Sequence, residues 1–168
     1  MLKSQLEAIF PLCDVNYSIT TSGELNSVNM AGYDHATFVI QIASTLAFAV
    51  GASAPIVSIE SGTSDSADSG DVTFHYRVNT GSAATLSSVM TYGADATSSA
   101  LSLATAGDYA GHTLILEIDG DDLRSVASTG ETYNWVTIDF TNATTGTIAA
   151  FAILSNARYA KNDMPIAV

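Results

Sequence analysis

Three histidines, one cysteine and a short run of carboxylates are the side chains of this chain best suited to chemistry. His35, His75 and His112 are candidate zinc ligands or general bases, because imidazole binds Zn²⁺ and titrates near neutrality. They lie far apart in sequence, so they form a site only if the fold gathers them. His35 follows Asp34 directly, and neighbouring strand residues face opposite ways, so Asp34 cannot orient that imidazole as a triad carboxylate does. No Gly-x-Ser-x-Gly elbow, His-Glu-x-x-His helix or phosphate-cradling loop occurs in the sequence. Glu117, Asp119, Asp121 and Asp122 crowd around Gly120, and clustered carboxylate oxygens suit Ca²⁺. The spacing departs from an EF-hand loop, with Leu123 where a fifth-position ligand belongs. Glu117, Asp119 and Asp121 stand as calcium candidates, against the plainer reading of a solvated acidic turn that starts a short helix. Asp65, Asp68 and Asp71 form a similar, weaker group.

Cys13 is alone, which excludes an intramolecular disulfide and a thiolate metal cluster and favours a small, partly buried hydrophobe. No catalytic residue and no cofactor is expected from these side chains. The expectation is a protein that is not an enzyme.

What must position them is a weakly charged chain of 168 residues, suited to one domain. Only 13% of residues are charged, about half the share usual in soluble domains, while 47% are hydrophobic. Such a surface can be buried in long-lived contacts at little cost in ion desolvation. The formal net charge is -12, and the five Lys and Arg residues are scattered. Nucleic-acid affinity is built from cations that neutralise phosphates, so no direct nucleic-acid partner is expected, and no membrane partner either. The uncharged run 36–57 is long enough to raise a membrane span. Its β-branched start and the breakers Gly51, Ser53 and Pro55 make it a buried strand and loop instead. The first residues carry no apolar stretch of the kind a secretory signal needs, so the sequons at Asn16 and Asn142 are set aside.

Residues 1–30 read as an N-terminal arm ahead of a single domain over 31–168. Ser4 and Glu7 have capping-box spacing, and Leu2, Leu6 and Ile9 could share one face of a short helix stopped by Pro11. Those three residues are candidate contacts to a neighbouring subunit. From Ala36 the pattern is β: 36–43, 56–60, 71–78, 86–92, 100–103, 113–118, 133–140 and 147–154 are the expected strands. Residues 36–43 read as covered on both faces. Val72, Phe74, Tyr76 and Val78 alternate against Thr73, His75 and Arg77, and Leu114, Leu116 and Ile118 against Ile115 and Glu117. Val136, Ile138 and Phe140 share one face, which places Tyr133 and Trp135 opposite as candidate interface anchors. The last three runs, over 113–159, read as a meander. The whole is expected to be all-β, a jelly-roll-like β-sandwich.

Three segments carry a resemblance: Met30-Ala-Gly-Tyr-Asp-His-Ala-Thr-Phe-Val-Ile40, Leu116-Glu-Ile-Asp-Gly-Asp-Asp-Leu123 and Ala152-Ile-Leu-Ser-Asn-Ala-Arg-Tyr-Ala160. In this order they resemble small virion proteins of tailed bacteriophages, with Gly-Tyr-Asp before a strand, Glu-Ile-Asp-x-Asp-Asp-Leu, and a closing Leu-Ser-x-Ala-Arg-Tyr. The likeness spans 30–160 and leaves out the arm and the 61–70 loop. It implies a capsid decoration (cement) protein: a homo-oligomer, a trimer, on the outer capsid surface of the virion, bound to the major capsid protein. Arg158 paired with Asp122 in the Asp121–Asp122 turn would then lock the last strand to the meander. Two other readings stay open, a tail, neck or head-fibre subunit and a carbohydrate-binding module built around Trp135.

Overall fold

The computed structural model describes residues 8–19, 23–44, 55–66, 68–79, 93–103, 109–141 and 146–157. Two antiparallel sheets pack face to face as an all-β sandwich. The first sheet runs β1 (Ala8–Pro11), β13 (Thr147–Ala157), β5 (Tyr33–Ile42), β11 (Thr113–Asp119), β8 (Phe74–Val78) and β9 (Ala96–Ser98), with β2 (Tyr17–Ser18) also on β13. The second runs β10 (Ala100–Ser102), β6 (Ile56–Gly62), β12 (Trp135–Thr141) and β3 (Gly23–Glu24). β4 (Val28–Asn29) also joins β12, and β7 (Gly70–Asp71) joins β6. A helix, α1 (Gly120–Val126), follows β11.

Alternation drives this arrangement. Phe38, Ile40, Leu114, Leu116, Ala152 and Leu154 point inward from the first sheet and are buried against Val57, Ile59, Val136, Ile138 and Phe140 of the second. Burying such side chains, at roughly 1.5–3 kcal/mol each, holds the two layers together. The alternation read in 71–78 and 113–118 is the one observed.

Four expectations change. The run from 113 is not a meander: β11 lies in the first sheet, β12 in the second, and β13 returns to the first beside β5. From β9 onward consecutive strands change sheet, because the inward residues of β12 complete the opposite half of the core. Strand β5 is not covered on both faces, since Phe38, Ile40 and Ile42 are buried while Thr37, Val39 and Gln41 are not. The stretch at Ile9 is a strand and not a helix, with Ile9 opposite Ile153 on β13. The described part of 1–30 adds strands to both sheets and places Leu12, Ile19, Leu25, Val28 and Met30 in the core, so it belongs to the sandwich and does not stand apart as an arm. The strand expected over 86–92 lies outside the described residues. Among the described residues no helix is long and apolar enough to cross a membrane.

Candidate functional site

The sheet register gathers two of the three histidines. His35 on β5 lies opposite Asp119 on β11, and Glu117 on β11 lies opposite His75 on β8. Residues directly opposite in a ladder share a face, so all four stand on the outer side of the first sheet. His35 Nδ1 is 2.8 Å from Asp119 Oδ1, and its Nε2 is 3.2 Å from Thr37 Oγ1 and 3.9 Å from Glu117 Oε1. His75 Nδ1 is 2.9 Å from Asp95 Oδ2, and Arg77 Nε is 3.5 Å from Asp95 Oδ1. Asp122 closes the corner from α1, leaving an open depression of about 240 Å³ lined by His35, His75, Glu117, Ile118, Asp119 and Asp122. The hydrogen bond from His75, with the charges of His75 and Arg77, holds the Asp95 carboxyl below its usual range against a smaller opposing effect of burial.

Thr37, His35 and Asp119 stand in the hydroxyl–imidazole–carboxylate order of a hydrolytic triad. Acyl transfer also needs donors aimed at a developing oxyanion in a water-poor site. Strand β5 is paired on both sides, by β13 and β11, so its backbone N–H groups around Thr37 are committed to ladders. The Asp119 side chain is 69% exposed, and water weakens its field. The corner is a hydrogen-bonded patch of surface with ordered imidazoles. The partner of His35 is Asp119 rather than its sequence neighbour Asp34, and only the β5–β11 register could have revealed it.

His112 is elsewhere, its Nδ1 2.8 Å from the Asn79 carbonyl oxygen, so the three-histidine zinc site does not form. The calcium reading of Glu117, Asp119 and Asp121 also gives way. Asp119 is engaged by His35, Asp121 by the Arg124 guanidinium, and the Asp119 N–H donates to Asp122 Oδ2 at 2.7 Å. These carboxylates start a helix and do not converge. Among the described residues, no group of three or more His, Cys, Asp or Glu could hold a metal ion.

Tyr133 is not on an outer face. It precedes β12, is 3% exposed, and its hydroxyl lies 3.2 Å from Ser128 Oγ. The strand begins at Trp135, so alternation counted from Tyr133 started too early. Its ring instead supports β7: a Cβ on Gly70 would sit 3.4 Å from Tyr133 Cε2 and 3.3 Å from the Val126 carbonyl oxygen. Trp135 is half-buried at the start of β12, opposite Asn29 and Gly62. Ile9 is 66% exposed. Leu2, Leu6 and Arg158 lie outside the described residues, and with Arg158 goes the Arg158–Asp122 pair.

Of the carboxylates of the second sheet, sequence reading noted only Asp71, as part of an acidic loop, and missed how they face one another. Glu60 lies opposite Asp71 across β6–β7, and Asp139 lies opposite Glu24 across β12–β3. Burial, then the charge of Asp71 and a shared hydrogen bond with it, push Glu60 up to about 7, with Ser58 opposing and Asp68 adding a little. Burial also raises Asp139, against the backbone N–H of Phe140 and with help from Asp68. Burial raises the Cys13 thiol, against the backbone hydrogen bond with Ala150 and with help from the charge of Asp14. Compared with protein-family models, curated proteins and solved structures, the chain matches none.

Proposed function

We propose that this chain is a non-enzymatic structural protein of a tailed-phage virion: a capsid decoration protein, trimeric, bridging major capsid subunits on the outer surface of the head. The observation that carries the reading is a two-sheet body with apolar side chains in the open, namely Ile9, Phe10, Val15 and Phe151 at 66, 42, 80 and 38% exposure. Exposed apolar groups on a rigid scaffold mark a surface meant to be covered. The likeness of the 30–40, 116–123 and 152–160 segments to phage head proteins supplies the class of partner. A net charge of -12 suits the outside of a DNA-filled shell better than its lumen. The role is mechanical: each contact is weak, several made at once lengthen residence, and the binding free energy adds to what head rupture must overcome.

The test is the mass of the purified chain alone and after mixing with emptied tailed-phage capsids. Trimers that load onto shells at a fixed ratio and raise the temperature of head rupture are expected. Failure to load sinks the decoration role, and rings of six in solution would point to a tail or neck subunit.

A further inference from the structure

Strand β7 is two residues long, Gly70 and Asp71, and brings no apolar side chain to the sandwich. Hydrogen bonds hold it and its neighbours to β6. The Ser69 N–H donates to the Ser61 carbonyl at 3.0 Å, the Val72 N–H to the Ile59 carbonyl at 2.8 Å, and the Ser61 hydroxyl to the Gly70 carbonyl at 3.1 Å. Just beyond, Val72 and Phe74 are fully buried and anchor the chain. Strand β6 is fixed, because it pairs with β12 over Ile56–Gly62 and with β10 at Ile56, Val57 and Ser58. Movement between β6 and β7 therefore falls to β7.

Across that junction stands an acid pair. Glu60, half-buried on β6, lies opposite Asp71, and the two side chains share a hydrogen bond. An ionised carboxylate only accepts, so one of the two must carry a proton for that bond to exist. The groups around Glu60 do not substitute for it. Asp68 adds negative charge from the turn before β7, Thr137 stands opposite on β12, and the Ser58 hydroxyl supplies a hydrogen bond. Asp139 lies on the same face of β12, and Ala100, Leu101 and Ser102 of β10 carry no charge. Among the described residues no cation forms an ion pair with Glu60 or Asp71.

We propose that β7 is a latch worked by one proton: it stays on β6 while Glu60 and Asp71 share that proton and comes away when the proton leaves. Loss of the proton puts two anions directly opposite in a ladder, a destabilising arrangement, with Asp68 adding to it. Separation lets water reach both and disturbs few contacts, and local openings are drawn from such sparsely packed parts of a fold. The closed form holds the proton more tightly, so rising pH favours the open one. With Glu60 at about 7 when closed and at its ordinary 4.5 when open, opening grows between these values and levels off above them. The Asp139–Glu24 pair on the other flank differs, because Asp139 accepts from the Phe140 backbone N–H, which stabilises its charged form. Opening of β7 uncovers the Tyr133 ring against which Gly70 rests. The device belongs to the fold and goes beyond the capsid reading without depending on it.

The experiment is amide hydrogen exchange of the full chain by NMR, corrected for the intrinsic pH dependence of exchange, across the window between the two Glu60 values and above it. In wild type the Ser69 and Val72 amides should lose about tenfold or more in protection as pH rises through that window, then level off. Low urea should scarcely change their rates, the mark of a local opening that exposes little surface. In Glu60→Gln, whose amide can donate to Asp71 at every pH, protection should be independent of pH. Asp71→Asn removes the opposing charge and should shrink the pH dependence. Three results overturn the latch: protection that is flat with pH in wild type, either variant keeping the full wild-type pH dependence, or Ser69 and Val72 sharing the urea dependence of the Leu116 amide in β11, which would mean global unfolding. Capsid loading plays no part in this measurement, so its failure and that of the proposed function are read separately.

Discussion

The acids of the two sheets are held in opposite ways. On and beside the first sheet they face cations or imidazoles: Asp119 meets His35, Asp95 meets His75 and Arg77, and Asp121 meets Arg124. On the second sheet they face each other, Glu60 across from Asp71 and Asp139 across from Glu24, and among the described residues no ion pair involves these four. Like charges directly opposite in a ladder are destabilising. The pairs sit where β7 and β3, two residues each, hold the flanks of the sheet. Protons therefore act in opposite senses on the two sheets: the Asp95 carboxyl is held low, while Glu60 and Asp139 are held high. The two sheets thus respond differently to pH because burial, with Asp71 across from Glu60, raises the acids of the second, while His75 and Arg77 lower Asp95 beside the first.

The largest expected effect comes from removing what props β7 against β6. Tyr133→Ala empties a buried site beside Gly70 and should cost about 3–5 kcal/mol in urea unfolding, as for other buried aromatics. It should also return the Glu60 titration toward 4.5, since Asp71 would no longer be held opposite. A cost within about 0.5 kcal/mol, the usual range for surface changes, would restore Tyr133 to the outer face.

Next is the pH dependence of Glu60. Its folded value of about 7 exceeds the ordinary 4.5, so the folded state holds this proton more tightly than the unfolded chain does. Its contribution to stability is complete below pH 4.5 and is lost as pH rises through about 7. Urea midpoints across that window should therefore fall more in wild type than in Glu60→Gln, which cannot ionise. Parallel curves would remove the opposed-carboxylate account.

A smaller effect is expected at α1. Asp122→Ala removes the acceptor for the Asp119 N–H and should cost about 1 kcal/mol by chemical denaturation. The smallest lies on the first sheet. With His75→Ala, the Asp95 carboxyl should titrate closer to 3.8 by carbon NMR, with Arg77 holding it partly down. If Asp95 does not move, its low value has another origin and the contrast between the sheets weakens.

Much of the sandwich was legible from period-two patterning. Leu114, Leu116 and Ile118 against Ile115 and Glu117, like Val72 and Phe74 against Thr73 and His75, point where alternation requires. The strands before Tyr33 were not legible, because β2, β3 and β4 are two residues each and carry no period. They form only because Leu12, Leu25, Val28 and Met30 are drawn into a core built by distant strands. The candidate site was less legible still. Glu117 and Asp119 were visible as an acidic cluster, but an ion site and a helix start use the same letters. What separated them was the positions of His35 and Arg124.

The sequence by itself determined that the chain is all-β, weakly charged and acidic, because composition and alternation act locally and need no knowledge of partners across the sheet. The tertiary structure alone decided which strands lie side by side. That choice brought His35 to Asp119, set Glu60 against Asp71, carried Tyr133 into the interior and set Phe151 beside Val39 and Ile115 on the outer face of the first sheet. Register is a relation between segments far apart along the chain, fixed by how the inward side chains fill one shared core, and no stretch of sequence contains it.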